Sequence, residues 1–165
     1  MKIKVLMVCL GNICRSPTAQ GVFQAELLKQ NLSHLVGVDS AGTAAWHVGK
    51  APDARSQAHA KRRGYDFDLS ALSARQIQTQ DFHEFDYILA MDQHNFDELQ
   101  AIQPSGSRAT LDLFLRFAPD AEKREVPDPY YGGDAGFEEV LDLVERASLG
   151  LINHLRSTDL RSAAL

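Results

Sequence analysis

Ile3-Lys4-Val5-Leu6-Met7-Val8-Cys9-Leu10-Gly11-Asn12-Ile13-Cys14-Arg15-Ser16-Pro17 reads as a strand, a tight loop and the start of a helix. From Val5 to Val8 no polar residue interrupts the run, as expected of a strand covered on both faces of a parallel sheet. Gly11 and Asn12 break that pattern. Pro17 suits a first helical turn, because the amide it lacks would stay unpaired there anyway. Ala19, Val22, Phe23, Leu27 and Leu28 then recur at helical spacing, which predicts a helix ending near Leu32. Leu35–Ser40 reads as a second strand, so the chain opens β-α-β.

The alternation continues outward from this unit. Pro52–Gly64 reads as a helix with Pro52-Asp53 at its start and Gly64 at its stop. Phe85–Met91 is a strand, and Asp92 can cap the helix carrying Phe96, Leu99 and Ile102. Leu111–Leu115 reads as a last strand. Ala118–Gly136 is loop-like, and Phe137–Leu155 is a closing helix with Val140, Leu141, Val144, Leu151 and Leu155 on its buried face. Ser157–Leu165 is expected to fray. Strands alternating with helices imply an α/β sheet, whose sites lie beyond the carboxyl ends of the strands. Function is therefore expected just after Val8 and Met91.

Composition narrows the field. The chain has 165 residues and 18.3 kDa, the size of one domain, 1–165, able to bury a core without staples. A formal net charge of -5 and a pI near 5.6 argue against nonspecific binding to nucleic acid or anionic membranes. No apolar run approaches the ~20 residues that span a bilayer. Cys9 and Cys14 are the only cysteines, which suggests the reducing cytoplasm rather than a disulfide framework. The histidines stand at no ligand spacing, so neither a metal nor a cofactor is expected.

The loop after the first strand has its own chemistry. Curled around a centre, the amides of residues 10 to 15 make an anion nest at a helix N-terminus. Gly11 and Asn12 tolerate the positive φ that such a curl demands. Arg15 adds a planar fork for two phosphate oxygens. Cys9 at the base would sit in positive potential, where a thiolate nucleophile is favoured and the Ser16 hydroxyl can donate to it. A cysteine after a strand is usually a small buried hydrophobe; the strand, the loop residues and the helix start turn this one toward a phosphate-binding nucleophile.

The stretch Val8–Pro17 resembles the signature loop of the low-molecular-weight protein tyrosine phosphatases. Asp39-Ser40-Ala41-Gly42-Thr43, Trp46 with Gly49 and Pro52-Asp53, Ala74-Arg75, Phe85–Asp92 and Val126-Pro127-Asp128-Pro129-Tyr130-Tyr131 follow in that family's order. The resemblance implies a three-layer sandwich, a four-stranded parallel sheet with helices on both faces. It implies hydrolysis of protein phosphotyrosine through a phosphocysteine on Cys9, with Arg15 and the loop amides of Leu10, Gly11, Asn12, Ile13 and Cys14 on the phosphate. Asp128, otherwise read as a turn residue between two prolines, becomes the general acid and then the base. Tyr130, Tyr131 and Trp46 become slot walls with Leu10 and Ile13 at the mouth, although Trp46 alone reads equally as a packing residue. Asn12, Ser16 and Asp92 become a support network, Asp92 also serving as a helix cap. Family members often add a histidine close to Ser73, which this chain lacks. Cys14 reads either as a small buried hydrophobe or as the partner that traps an oxidised Cys9.

The resemblance also bounds the rivals. An arsenate reductase of this fold relays electrons through later cysteines, and none follows Cys14. A protein arginine phosphatase would prefer a small hydroxyl residue where Ile13 stands. A noncatalytic phosphate-binding module would be expected to lose Cys9 or Asp128. The expected partner is a phosphotyrosine protein, bacterial tyrosine kinases being one such class, and Tyr130 with Tyr131 allows either a monomer or a weak homodimer.

Overall fold

A computed structural model describes residues 2–68 and 72–161. Its elements are β1 (Ile3–Cys9), α1 (Arg15–Lys29), β2 (Val36–Gly42), α2 (Ala54–Arg62), α3 (Asp81–Glu84), β3 (Tyr87–Ala90), α4 (Gln93–Ile102), β4 (Thr110–Leu113), a 3-10 turn at Phe114–Phe117, and α5 (Asp134–Ser157). The strands form one parallel sheet in the order β2-β1-β3-β4.

Alternation along β1 builds the layers. Val5, Met7 and Cys9 face α1 and α5, joining Val22, Phe23, Leu27, Val144, Leu151 and Leu155 in one core. Leu6 and Val8 face the other way, onto Phe82, Phe85 and Leu99 from the α3 and α4 side. Both faces of β1 are thus dry, which is why its sequence runs apolar without alternation. The three-layer α/β sandwich is the architecture expected. β2 and β3 flank β1 on opposite sides, so the chain order reverses at β1. The loops after β1 and β3 open a crevice at that switch point.

Several boundaries differ from the sequence reading. Helix α1 starts at Arg15 and stops at Lys29, three residues before Leu32, because Asn31 turns to φ 58°. The last strand shifts to Thr110–Leu113, and the Phe-Leu-Arg-Phe segment after it winds into the 3-10 turn. Helix α5 takes in Asp134-Ala135-Gly136, which the glycine-rich composition hid. The short α3 was not foreseen. Ser157 ends α5, and the chain does not fray up to Arg161. Leu160 is 7% exposed, its amide donates to the Leu155 carbonyl at 2.8 Å, and the Tyr87 hydroxyl donates to Asp159 at 2.9 Å. An apolar residue landing on the core holds the end down; positions 162–165 lie outside the described residues.

Candidate active site

The loop from Cys9 to Arg15 is held from below by one side chain. Asn12 sits at φ 57°, the left-handed region that asparagine tolerates better than most residues. Its amide nitrogen donates to Ser16 Oγ at 2.8 Å and to Ser40 Oγ at 2.9 Å. Its carbonyl oxygen accepts the Arg75 amide at 3.0 Å. Ser40 in turn donates to Gln20 at 2.6 Å. The network closes without an imidazole: near Ser73 the chain buries Leu72 instead. Gly11 does not occupy positive φ, contrary to expectation; it gives room to a neighbour, since a Cβ there would press on the His47 ring, 2.8 Å from Cδ2. Gly42 is the stricter case, its Cβ position lying 2.6 Å from the Leu10 backbone carbonyl oxygen.

Donors converge on the Cys9 sulfur. The Asn12 backbone amide reaches Sγ at 3.3 Å, and Ser16 Oγ lies 3.0 Å away. Asn12 already donates to Ser16, so the one Ser16 hydroxyl proton is left for the sulfur at 3.0 Å or the Ala41 carbonyl at 3.4 Å. Buried Arg15 gives one terminal nitrogen to Asp92 Oδ2 at 2.6 Å and to the Val126 carbonyl at 3.1 Å. Its other terminal nitrogen lies 3.7 Å from Asp128 Oδ2. Burial alone would lower the Arg15 pKa, but the charge on Cys9 and then the bond and charge of Asp92 outweigh it and raise it. Asp92 uses its second oxygen to cap α4 through the Asn95 amide at 2.7 Å, so its cap and support roles coexist. Both cysteines are free. Burial, followed by the charge of Asp53, pushes the Cys14 thiol up to about 12, which holds it protonated.

Above this floor stands a cleft of about 460 Å³, counting its open mouth. Leu10, Ile13, Cys14, Trp46, Asp128, Tyr130 and Tyr131 line it, together with Cys9 and Arg15. Trp46 is 71% exposed and Tyr131 93%, so Trp46 is a wall rather than a packing residue. Tyr130 is half-buried with Tyr131 edge-on at 4.9 Å. Asp128 Oδ1 accepts the Tyr130 amide at 3.0 Å, an oxygen-to-backbone bond that fixes the carboxylate two residues upstream.

Other residues escaped the sequence reading. His47 lines the cleft with its ring 6.3 Å from that of Tyr130; the Trp-His pair is the only clue. Ser40, Gln20 and Arg75 support Asn12 from β2, α1 and the loop before α3, a convergence that only the fold reveals. Arg55 donates to the Tyr130 carbonyl at 3.0 Å from α2. Among the described residues, no group of three or more His, Cys, Asp or Glu is placed to hold a metal ion, and no helix is long and apolar enough to cross a membrane.

Comparison with known proteins adds independent findings. The model of the low molecular weight phosphotyrosine protein phosphatase family matches residues 4–161. A low molecular weight protein-tyrosine-phosphatase of Streptomyces coelicolor is 42% identical over 159 residues, covering 94% of this chain and 95% of its own. The crystal structure of a protein tyrosine phosphatase from Entamoeba histolytica superposes with a TM-score of 0.90 at 40% identity, over 96% of this chain and 100% of that one. A Drosophila arginine phosphatase structure superposes with a TM-score of 0.86 at 34% identity, over 96% and 99%.

Proposed function

The chain belongs to the low molecular weight phosphotyrosine protein phosphatase family, and on that premise we propose that it hydrolyses protein phosphotyrosine by covalent catalysis on Cys9. The observation that carries this reading is the buried Cys9–Arg15 loop with Asp128 across the cleft. The Cys9 thiolate attacks phosphorus in line, forming the S–P bond as the P–O bond to tyrosine breaks. Arg15 and the loop amides hold the equatorial oxygens as charge spreads. Asp128 gives its proton to the departing tyrosyl oxygen. Water then attacks the phosphocysteine, Asp128 takes the proton, and inorganic phosphate leaves with the thiolate restored. No step requires a metal or cofactor.

Leu10, Ile13, Trp46, Tyr130 and Tyr131 give the slot its depth: a ring-length ester reaches Cys9, whereas phosphoserine falls short. The arginine phosphatase reading is not the better supported, since apolar Ile13 lines the mouth and the arginine phosphatase structure is the more distant match. The whole of 1–165 is read as one phosphatase domain working in the cytoplasm, as a monomer or weak homodimer, with a tyrosine kinase as one candidate substrate. The test is phosphate release from matched phosphotyrosine, phosphoserine and phosphoarginine peptides with reductant and chelator present. Release from phosphotyrosine alone is expected; release from phosphoarginine alone, or from none, sinks the reading.

A further inference from the structure

Helix α2 touches both halves of the site. Its entry is tied to the nucleophile loop by the Asp53 amide, which donates to the Ile13 carbonyl at 2.7 Å. One turn apart on the same helix, Arg55 and His59 reach the other half. Arg55 holds the Tyr130 carbonyl and lies over the rings of Tyr130 at 5.5 Å and Phe137 at 4.8 Å. His59, 2% exposed, stacks flat on Phe137 at 5.4 Å and 8°. Its Nδ1 lies 2.6 Å from Glu138 Oε2, and its Nε2 lies 3.2 Å from Asp134 Oδ1. Carboxylates only accept, so both contacts are hydrogen bonds only when the ring carries two N–H donors.

Asp134 and Glu138 occupy the first turns of α5, where the Asp128-bearing loop ends. The start of that loop is fixed separately, by the Val126 amide on the Met91 carbonyl at 2.8 Å and by Arg15 on the Val126 carbonyl. Between these anchors Asp128 is 42% exposed and 3.7 Å from Arg15. Its position therefore depends on where the loop is pinned downstream, at Tyr130 by Arg55 and at the start of α5 by His59. Glu138 is also held by Arg63 at 3.2 Å, whereas Asp134 Oδ1 accepts, among the described residues, from His59. The His59 bond is the first cause of the lowered Glu138 pKa, which agrees with a strong contact.

We propose that His59 is a positioning residue for proton transfer: by gripping Asp134 and Glu138 it sets the farther of the two downstream anchors of the loop, and so the reach of Asp128 to the leaving oxygen. This rests on the phosphatase reading above and adds to it a residue outside the cleft.

The test compares phenyl phosphate, whose leaving oxygen needs a proton, with 2,4-dinitrophenyl phosphate, whose leaving oxygen does not. For His59→Leu, kcat/KM on phenyl phosphate should fall about tenfold while the activated ester changes less than about twofold. His59→Gln, which keeps N–H donors, should recover part of the loss. Should the His59 variants fail to fold, Asp134→Ala decides, since that carboxylate is 88% exposed; it should show the same selective loss. Equal losses on both esters, or none, overturn the proposal. Asp128→Ala is the reference. If it shows no leaving-group preference, or the parent enzyme hydrolyses neither ester, the phosphatase mechanism is at fault; if it behaves as an acid-less enzyme while the His59 and Asp134 variants match the parent, only the positioning role is.

Discussion

Cys9 and Gly42 show how different demands meet in one loop. Cys9→Ser removes the nucleophile but leaves the Asn12 network and Arg15 in place. Turnover should vanish, while phosphotyrosine peptide still binds by calorimetry; turnover near the parental rate would refute the assignment. Gly42→Ala leaves every reacting group intact, yet places a Cβ 2.6 Å from the Leu10 carbonyl and 3.2 Å from the Asn12 amide. Backbone on both sides cannot yield as a flexible side chain does. The variant should lose about 1–3 kcal/mol of stability in urea and at least about tenfold in kcat through loop displacement. At this scale the sequence was most legible: Cys9, Asn12 and Ser16, read at fixed spacing, do meet at one sulfur. The task of Gly11 was misread, because a composition cannot tell room for a neighbour from freedom of φ. The support from Ser40, Gln20 and Arg75 was illegible for another reason: Ser40 and Arg75 meet Asn12 across 28 and 63 residues of chain, and Gln20 meets Ser40 across 20.

Elements reveal a second kind of constraint, close approach between helices. Gly150 of α5 lies against the 3-10 turn, where a Cβ would come within 1.7 Å of the Phe117 carbonyl oxygen. Gly150→Ala must shift α5 from that turn. A loss of about 3 kcal/mol is expected, read as a lower urea midpoint with the slope unchanged, while kcat on phosphotyrosine stays within about twofold because the contact lies away from the cleft. Strong periodicity made β1, α1, α4 and the body of α5 readable from sequence alone. The failures sit at edges. Asp134-Ala135-Gly136 joined α5 because tertiary contacts of Asp134 with His59 override the helix-breaking tendency of glycine. The stretch Phe114–Phe117 left the strand because Phe114 and Leu115 find the core by turning.

Titrating groups at distant places couple to the stability of the whole molecule. Burial, first among the causes, raises Cys14 from 9.0 to about 12. Burial likewise raises Tyr65 and Tyr87 from 10.0 to about 12, aided by Glu145 and Asp159. For each, the unfolded chain gives up its proton at lower pH than the folded one. Their contribution is thus complete below pH 9 and drains away as pH climbs toward 12. Urea midpoints taken from pH 7 upward should hold level and then fall past pH 9; a rising midpoint would reverse the sign. The sandwich, its parallel sheet and the crevice at the strand reversal were all readable from the alternation of elements, whereas the tie from α2 to both halves of the site existed only in three dimensions. Because Asn12 holds the Cys9–Arg15 loop curled through the protein's own side chains and backbone, the enzyme meets its own product in a ready berth. Orthophosphate should accordingly compete with substrate at full strength, raising the apparent KM and leaving kcat untouched, so that activity in a cell would be throttled by the phosphate it releases.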